Sequence, residues 1–245
     1  MNVLMIGNTC STGWNLKKGL SKKNVNVTLV SDGNKLISGK YDYHPSWFYF
    51  LQKKYGKKHF DIVHLHSPNL KHLGLVWRYL TKDTKLVCHW HGSDLRMFRK
   101  TFPVHWLLKK IAVYHLYSTI DLAWWLRDIP DEKKMLFRQV IDTEMFKPLN
   151  RDRKGTLVFG RGGIHKDKYI PHDKIPELLN RYEMVKVFPA YGLSPYLVSA
   201  SALEAASCGC KIYHHPYMDR EWVKNNTSTE SQTEKLINIY NELMK

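Results

Sequence analysis

The stretch DIVHLH, residues 61–66, is where the fold class is decided. It is a short apolar run of strand-forming residues, and similar runs recur at Val3 to Ile6, Val25 to Val30 and Leu86 to Trp90 with helical stretches between them. That rhythm predicts a parallel sheet in an α/β domain. Asn69 to Leu80 places apolar residues at 70, 73, 76, 77 and 80, one face of a helix. Val104 to Leu116 reads as a second helix with Lys109-Lys110 on its wet side, and Leu122 to Leu126 as a shorter one ended by Pro130.

The alternation breaks at FKPLNRDRKG, residues 146–155, where Pro, Gly and dense charge put a domain boundary near residue 149. The chain therefore divides into 1–148 and 149–245. The second part reads as a strand (Thr156 to Phe159), a polar loop, a short helix (Lys174 to Arg181), a strand (Met184 to Phe188), a helix (Ala200 to Ser207), a strand (Lys211 to His214) and a closing helix. The closing helix, Thr233 to Met244, carries Leu236, Ile239, Tyr240 and Leu243 on one stripe, which needs the body of the protein as its partner.

With 43% hydrophobic residues in 245, a buried core is expected and disorder is excluded as the default. The four cysteines, at 10, 88, 208 and 210, form neither a disulfide framework nor a two-spacer metal motif, which points to a reducing compartment. No leader-like start and no window near eighteen apolar residues occur, so the expectation is a cytoplasmic chain, peripheral to the inner membrane surface at most. The formal charge is +16, and among residues 1 to 80 twelve are Lys or Arg against three acidic residues. One face of the first half should be strongly positive, attracting nucleic acid, anionic lipid headgroups or phosphate-bearing substrates. Paired lysines such as Lys53-Lys54 and Lys57-Lys58 also suit a merely solubilising surface. The aromatic segment YDYHPSWFYF, residues 41–50, lies beside them; aromatics next to lysines suit a membrane interface, and packed core accounts equally well for half of them.

Three polar clusters could carry chemistry. In FGRGGIHKDK, residues 159–168, Gly160, Gly162 and Gly163 allow a tight turn around a ligand, while the Arg161 fork and the Lys166 ammonium suit a diphosphate. A solvated strand-to-helix turn is the plainer reading. Ser199 is placed to cap the helix starting at Ala200, whose unpaired amides would meet an anion. Glu204, on an otherwise small and apolar helix, could accept hydrogen bonds from a ribose diol, or simply face solvent or a lysine. In the first half His64 and His66 end one strand, and His89, His91 and Asp94 end the next, where ligands of parallel sheets gather. H-x-H pairs lack a strict set of further ligands, so no metal site is expected. The loop Gly7 to Gly13 matches neither the dinucleotide fingerprint nor the phosphate-cradling loop, which disfavours an ordinary dehydrogenase or kinase.

Together these pieces resemble the retaining GT-B glycosyltransferases, which move a sugar from a nucleotide-sugar donor across a cleft between two Rossmann-like domains. The likeness runs from DIVHLH (61–66) and KLVCHWHGSD (85–94) through VIDTEMFKP (140–148) and FGRGGIHK (159–166) to ALEAASCG (202–209). It implies an α/β, GT-B-like fold, with His91 beside the transferred sugar, Arg161 and Lys166 on the donor pyrophosphate and Glu204 on the nucleotide ribose. Gly13 would let the first loop approach the donor, with Gly160, Ser199 and Ala200 completing the donor site. Arg138-Gln139 stand where the family commonly has Pro-Asn, and Tyr196 stands eight residues before Glu204 where it commonly has a second glutamate. Ser194 or Tyr196 would then approach the sugar hydroxyls, and Asp94 the acceptor.

Only 27 residues separate Arg161 from Pro189, so the second domain should be abridged to three or four strands and covered by the first domain or by a copy of the chain. The expected activity is retaining, metal-independent transfer of a hexose-like unit from a nucleotide diphosphate sugar, with no cofactor. The acceptor would be a saccharide, lipid or protein, with a lipid intermediate or envelope glycan preferred. An anionic membrane surface and a second copy of the chain are the further partners; nucleic acid is disfavoured. The competing reading is a non-catalytic polyanion- or nucleic-acid-binding module on the same scaffold.

Overall fold

The computed structural model describes residues 1–32, 40–55, 58–68, 70–92, 95, 98–159, 170, 172–187 and 198–245. The first part alternates strands and helices: β1 (Asn2–Ile6), α1 (Thr12–Lys22), β2 (Asn26–Val30), α2 (Pro45–Tyr55), β3 (Ile62–His66), α3 (Leu70–Tyr79), β4 (Lys85–Trp90), α4 (Phe98–Ile111), β5 (Tyr114–Tyr117), α5 (Leu122–Trp125) and β6 (Lys134–Leu136). The strands form one parallel sheet in the order β2-β1-β3-β4-β5-β6.

A parallel sheet must be covered on both faces, and the strand residues divide accordingly. Leu4, Ile6, Val63, Leu65, Cys88 and Trp90 pack into a core with Phe48 of α2, Leu75, Val76 and Tyr79 of α3, Val104 and Leu108 of α4 and Leu122 of α5. Their strand neighbours Val3, Met5, Ile62 and Val87 join the opposite core, with Leu16 and Leu20 of α1. The two sets alternate along each strand because successive side chains leave a strand on opposite faces.

Two sequence expectations change here. The helix anticipated over Val104 to Leu116 ends at Ile111, and Tyr114–Tyr117 is a strand in register with Val87–Trp90 of β4. The switch occurs within one residue: the Ala112 amide still donates to Leu108, 3.0 Å away, and the Val113 amide already donates to Leu86 of β4 at 2.9 Å. On α3 the buried stripe is His72, Leu75, Val76 and Tyr79, whereas Trp77 of the anticipated stripe is exposed.

After residue 149 come β7 (Thr156–Phe159), α6 (Ile175–Leu179), β8 (Met184–Val187), α7 (Ala200–Ser207), β9 (Lys211–Ile212), α8 (Arg220–Thr227) and α9 (Thr229–Leu243). The strands form a second parallel sheet, β7-β8-β9, with its own core around Leu157, Leu179, Val185, Leu203, Ile212 and Val223. The fold is α/β, with two parallel sheets in succession, the second of three strands among the described residues.

The chain passes between the two sheets twice, and the passages lie side by side. Ile141 donates to Thr227 O at 2.9 Å and accepts from the Thr229 amide at 3.1 Å, a parallel bridge between Ile141 and Ser228. Asn15 of α1 fastens the first passage by donating to Val140 O at 2.9 Å. The second passage delivers α9 back onto the first sheet, where Leu236, Ile239 and Tyr240 enter the core beside α1. The two helices touch at Gly19, where an added Cβ would lie 1.9 Å from Thr233 Oγ1.

Candidate functional site

The strand order reverses between β1 and β3, so the helices following them cover opposite faces and leave a crevice at the carboxyl ends of these strands. The backbone there is unusual. Gly7 turns out of β1 at φ 88°, and a Cβ on it would sit 2.8 Å from His66 O, so the loop runs hard against the end of β3. Cys10 (φ 48°) and Ser11 (φ 61°) follow in the left-handed region, as does Ser67 (φ 46°) after β3, all without being glycine. Such conformations cost on the order of 1–3 kcal/mol each and gather where a ligand site over-determines the chain. Thr9 Oγ1 and Ser67 Oγ, 2.7 Å apart, tie the two strand ends together. Gly13 belongs to this loop through its own packing: a Cβ there would lie 2.9 Å from Gly7 O.

His91 stands just past β4 on the same edge, buried to 8% exposure. Its Nε2 lies 3.2 Å from His66 Nδ1 and its Nδ1 lies 3.2 Å from Ser118 Oγ. Burial, reinforced by the neighbouring imidazoles of His89 and His64, holds it well below the usual histidine range, so it is neutral. Behind it His64, His66 and His89 are wholly buried on the face covered by α1 and α9. Burial pushes His89 down to about 3, against a hydrogen bond to Phe137 O that works the other way. These side chains are held by partners the sequence pattern did not suggest: Ser118 after β5, and Tyr240 of α9, whose hydroxyl lies 2.6 Å from His64 Nδ1.

Across from this edge stands α7. Ser199, in extended conformation (φ −86°, ψ 160°), caps it by accepting the Ala202 amide at 3.2 Å. The Leu203 amide donates to Ser199 O at 3.1 Å, so the amides of Ala200 and Ser201 are those left without a partner within the helix, and no acidic residue occupies that turn. Glu204 lies one turn further in, 9% exposed among buried small residues. Among the described residues its partner is a histidine rather than a lysine: its Oε1 lies 3.1 Å from His172 Nε2, and the His172 ring packs edge-on against Phe146 at 5.4 Å. Nothing in the spacing of residues 172 and 204 signals this pair.

The two sides face each other. Burial, together with the Glu204 carboxylate, pushes the Cys10 thiol up to about 11, with a hydrogen bond to Gln139 acting the opposite way. Glu204 is therefore within electrostatic reach of the β1–α1 loop, and Cys10 is a thiol rather than a nucleophilic thiolate. Gly13 and His91 thus share the edge of the first sheet, while Ser199, Ala200 and Glu204 share one helix opposite it. Asp94, Gly160, Arg161, Lys166, Ser194 and Tyr196 lie outside the described residues.

No family model matches the chain, and no curated protein matches it in sequence. Solved structures of similar fold exist. A DNA-modifying β-glucosyltransferase, determined with and without its substrate uridine diphosphoglucose, is 12% identical over 100% of this chain and 94% of its own, at a TM-score of 0.48. A protein from Listeria monocytogenes named as a UDP-N-acetylglucosamine 2-epimerase is 11% identical over 100% of this chain and 90% of its own, at a TM-score of 0.49.

Proposed function

We propose that the chain is a glycosyltransferase that moves a sugar from a nucleotide diphosphate sugar to an acceptor with retention of configuration, in a metal-independent reaction. The observation that carries this reading is Glu204: a carboxylate almost out of water, on a capped helix of small residues, within electrostatic reach of Cys10 in the strained β1–α1 loop. A carboxylate kept dry in this way is useful to a ligand that donates hydrogen bonds, and a ribose diol does so with two adjacent hydroxyls.

In this reading the open amides at the start of α7 meet the diphosphate, with Arg161 and Lys166 neutralising the charge that grows as the glycosidic bond breaks. Contacts that strengthen as that charge develops stabilise the transition state more than the bound donor. His91 is neutral and hydrogen-bonded on both nitrogens, so its part is to shape and polarise the sugar-facing wall rather than to act as a base. The acceptor would attack on the face the diphosphate leaves, and the leaving phosphate would take the proton, with no second carboxylate required for a double displacement. Exposed aromatics under arginine and lysine on the helices covering one face of the first sheet favour a lipid-linked acceptor at an anionic membrane.

The test is binding of nucleoside diphosphates and their sugars, read by heat, to wild type, Arg161→Ala and Glu204→Gln. Loss of one charge-assisted hydrogen bond set should weaken donor binding about tenfold or more in Glu204→Gln, and Arg161→Ala should lower turnover about 100-fold. Nucleotide binding unchanged in both variants would remove the site. Steeply salt-dependent binding of DNA or RNA with no affinity for nucleotide sugars would instead support a polyanion-binding module.

A further inference from the structure

His64, His66 and His89 form a group apart from the crevice. All three are fully buried, on the adjacent strands β3 and β4, with His66 paired in register to His89. Each has one ring nitrogen engaged by the protein: His64 Nδ1 with Tyr240 Oη at 2.6 Å, His66 Nδ1 with His91 Nε2 at 3.2 Å, and His89 Nε2 with Phe137 O at 3.2 Å. Each leaves the other nitrogen, His64 Nε2, His66 Nε2 and His89 Nδ1, buried with no hydrogen-bond partner among the described residues. One nitrogen from each of the three rings lies within 4.8 Å of the others.

The protonation pattern follows from the partners. Phe137 O can only accept, so His89 carries its hydrogen on Nε2 and leaves a lone pair on Nδ1. Where Tyr240 Oη and His91 Nε2 accept in the same way, the free nitrogens of His64 and His66 carry lone pairs as well. Three such lone pairs in a dry interior, on rings that bring one nitrogen each within 4.8 Å of the others, suit a cation held between them. A water molecule has two hydrogens and would leave one nitrogen unmatched. A cation serves all three at once, and the outer hydrogen bonds are those that orient imidazoles toward a metal.

We propose that His64, His66 and His89 bind a divalent transition-metal ion of the zinc, cobalt or nickel type. An all-imidazole donor set suits those ions, and the absence of a carboxylate from the trio disfavours calcium and magnesium. Zinc–nitrogen bonds of about 2.0–2.1 Å require the three rings to draw inward by small side-chain rotations. The ion would sit beneath the crevice, clear of the transferred sugar, and would link β3 and β4 to α9 through His64 and Tyr240. Its role is structural, and because the trio is enclosed it is acquired as the chain folds.

The test uses the full chain, unfolded in chelator and refolded with cobalt(II) or zinc(II). Expected are one ion per chain by elemental analysis, cobalt d–d absorption bands of a low-coordinate nitrogen site, and a higher thermal midpoint than the refolded chelator-treated protein. His64→Phe and His89→Leu should bind cobalt at least tenfold more weakly, while His59→Gln, at an exposed histidine, should match wild type. Wild type that refolds and takes up no stoichiometric metal overturns the proposal and leaves a water in the cluster. Uptake unchanged in both core variants overturns it equally, and the wild-type result decides the matter even if a variant does not fold.

Discussion

His115 of β5 shows how a single buried side chain makes stability depend on pH. Trp90 Nε1 donates to its Nδ1 at 3.2 Å, a bond that only the neutral ring can accept. Burial first, and then the Lys109 ammonium, hold its pKa down at about 4 against an ordinary 6.5. The unfolded chain thus binds the proton more readily, so this contribution is complete above pH 6.5 and is lost as pH falls toward 4. The drop is on the order of 3 kcal/mol. Chemical denaturation between these pH values should therefore show a flatter stability profile for His115→Gln, which accepts the tryptophan hydrogen bond without titrating. An unchanged slope would remove His115 from the acid response. At this scale the sequence was partly legible. Ser199 as a cap and the histidines at strand ends follow from residue type and position. The Glu204–His172 pair and the grip of Tyr240 and Ser118 on the histidines do not, because they join residues distant in the chain through tertiary packing alone.

Among elements, α1 and α9 meet closely at Gly19. At Gly19 any side chain would drive into Thr233 Oγ1 and approach the Thr229 methyl within 3.1 Å, so Gly19→Ala must push the helices apart, at a cost of about 1–3 kcal/mol. Gly74, exposed within α3, has nothing within 4 Å of an added Cβ. Gly74→Ala should stabilise the chain by about 0.5–1 kcal/mol through helix propensity. Thermal or urea unfolding of the two variants should move in opposite directions, and a shared direction would contradict this packing. Most elements were readable because their apolar periods agree with their state. Tyr114–Tyr117 was not, since the apolar residues from Val104 to Leu116 continue one helical stripe and only the pairing with β4 breaks it. Nor was α8, whose eight residues are mostly polar, with only Trp222 and Val223 to mark an apolar face.

For the whole molecule, the uneven charge meets an uneven distribution of aromatics. Trp47, Tyr49 and Phe50 of α2, Trp77 of α3, Trp106 of α4 and Trp124 of α5 are all exposed, and these four helices cover the same face of the first sheet. Cations lie over several of the rings: Arg78 over Tyr49 at 4.5 Å, Lys110 over Trp106 at 3.8 Å and Arg127 over Trp124 at 4.3 Å. Among the described residues no helix is long and apolar enough to cross a membrane; the lipid-linked acceptor proposed above would bring this layer of aromatics and cations against an anionic surface. Each lysine or arginine near an anionic surface contributes about 1 kcal/mol, screened by salt. Vesicles containing phosphatidylserine should sediment with the protein at low salt and less at high salt, and Trp47→Ser with Phe50→Ser should weaken binding about tenfold. Equal sedimentation with neutral vesicles, or no loss in the double variant, would reject this face as the membrane contact. The paired passages at Ile141 and Ser228 bear on the molecule in another way. Arg151 is exposed between them and the second sheet, so trypsin can sever the backbone there, yet the carboxyl-terminal fragment ends in a helix clamped within the amino-terminal one. The two fragments should co-elute as a nicked but intact particle until denaturant is added, as one wrapped parcel whose outer string has been cut while its last fold stays tucked in.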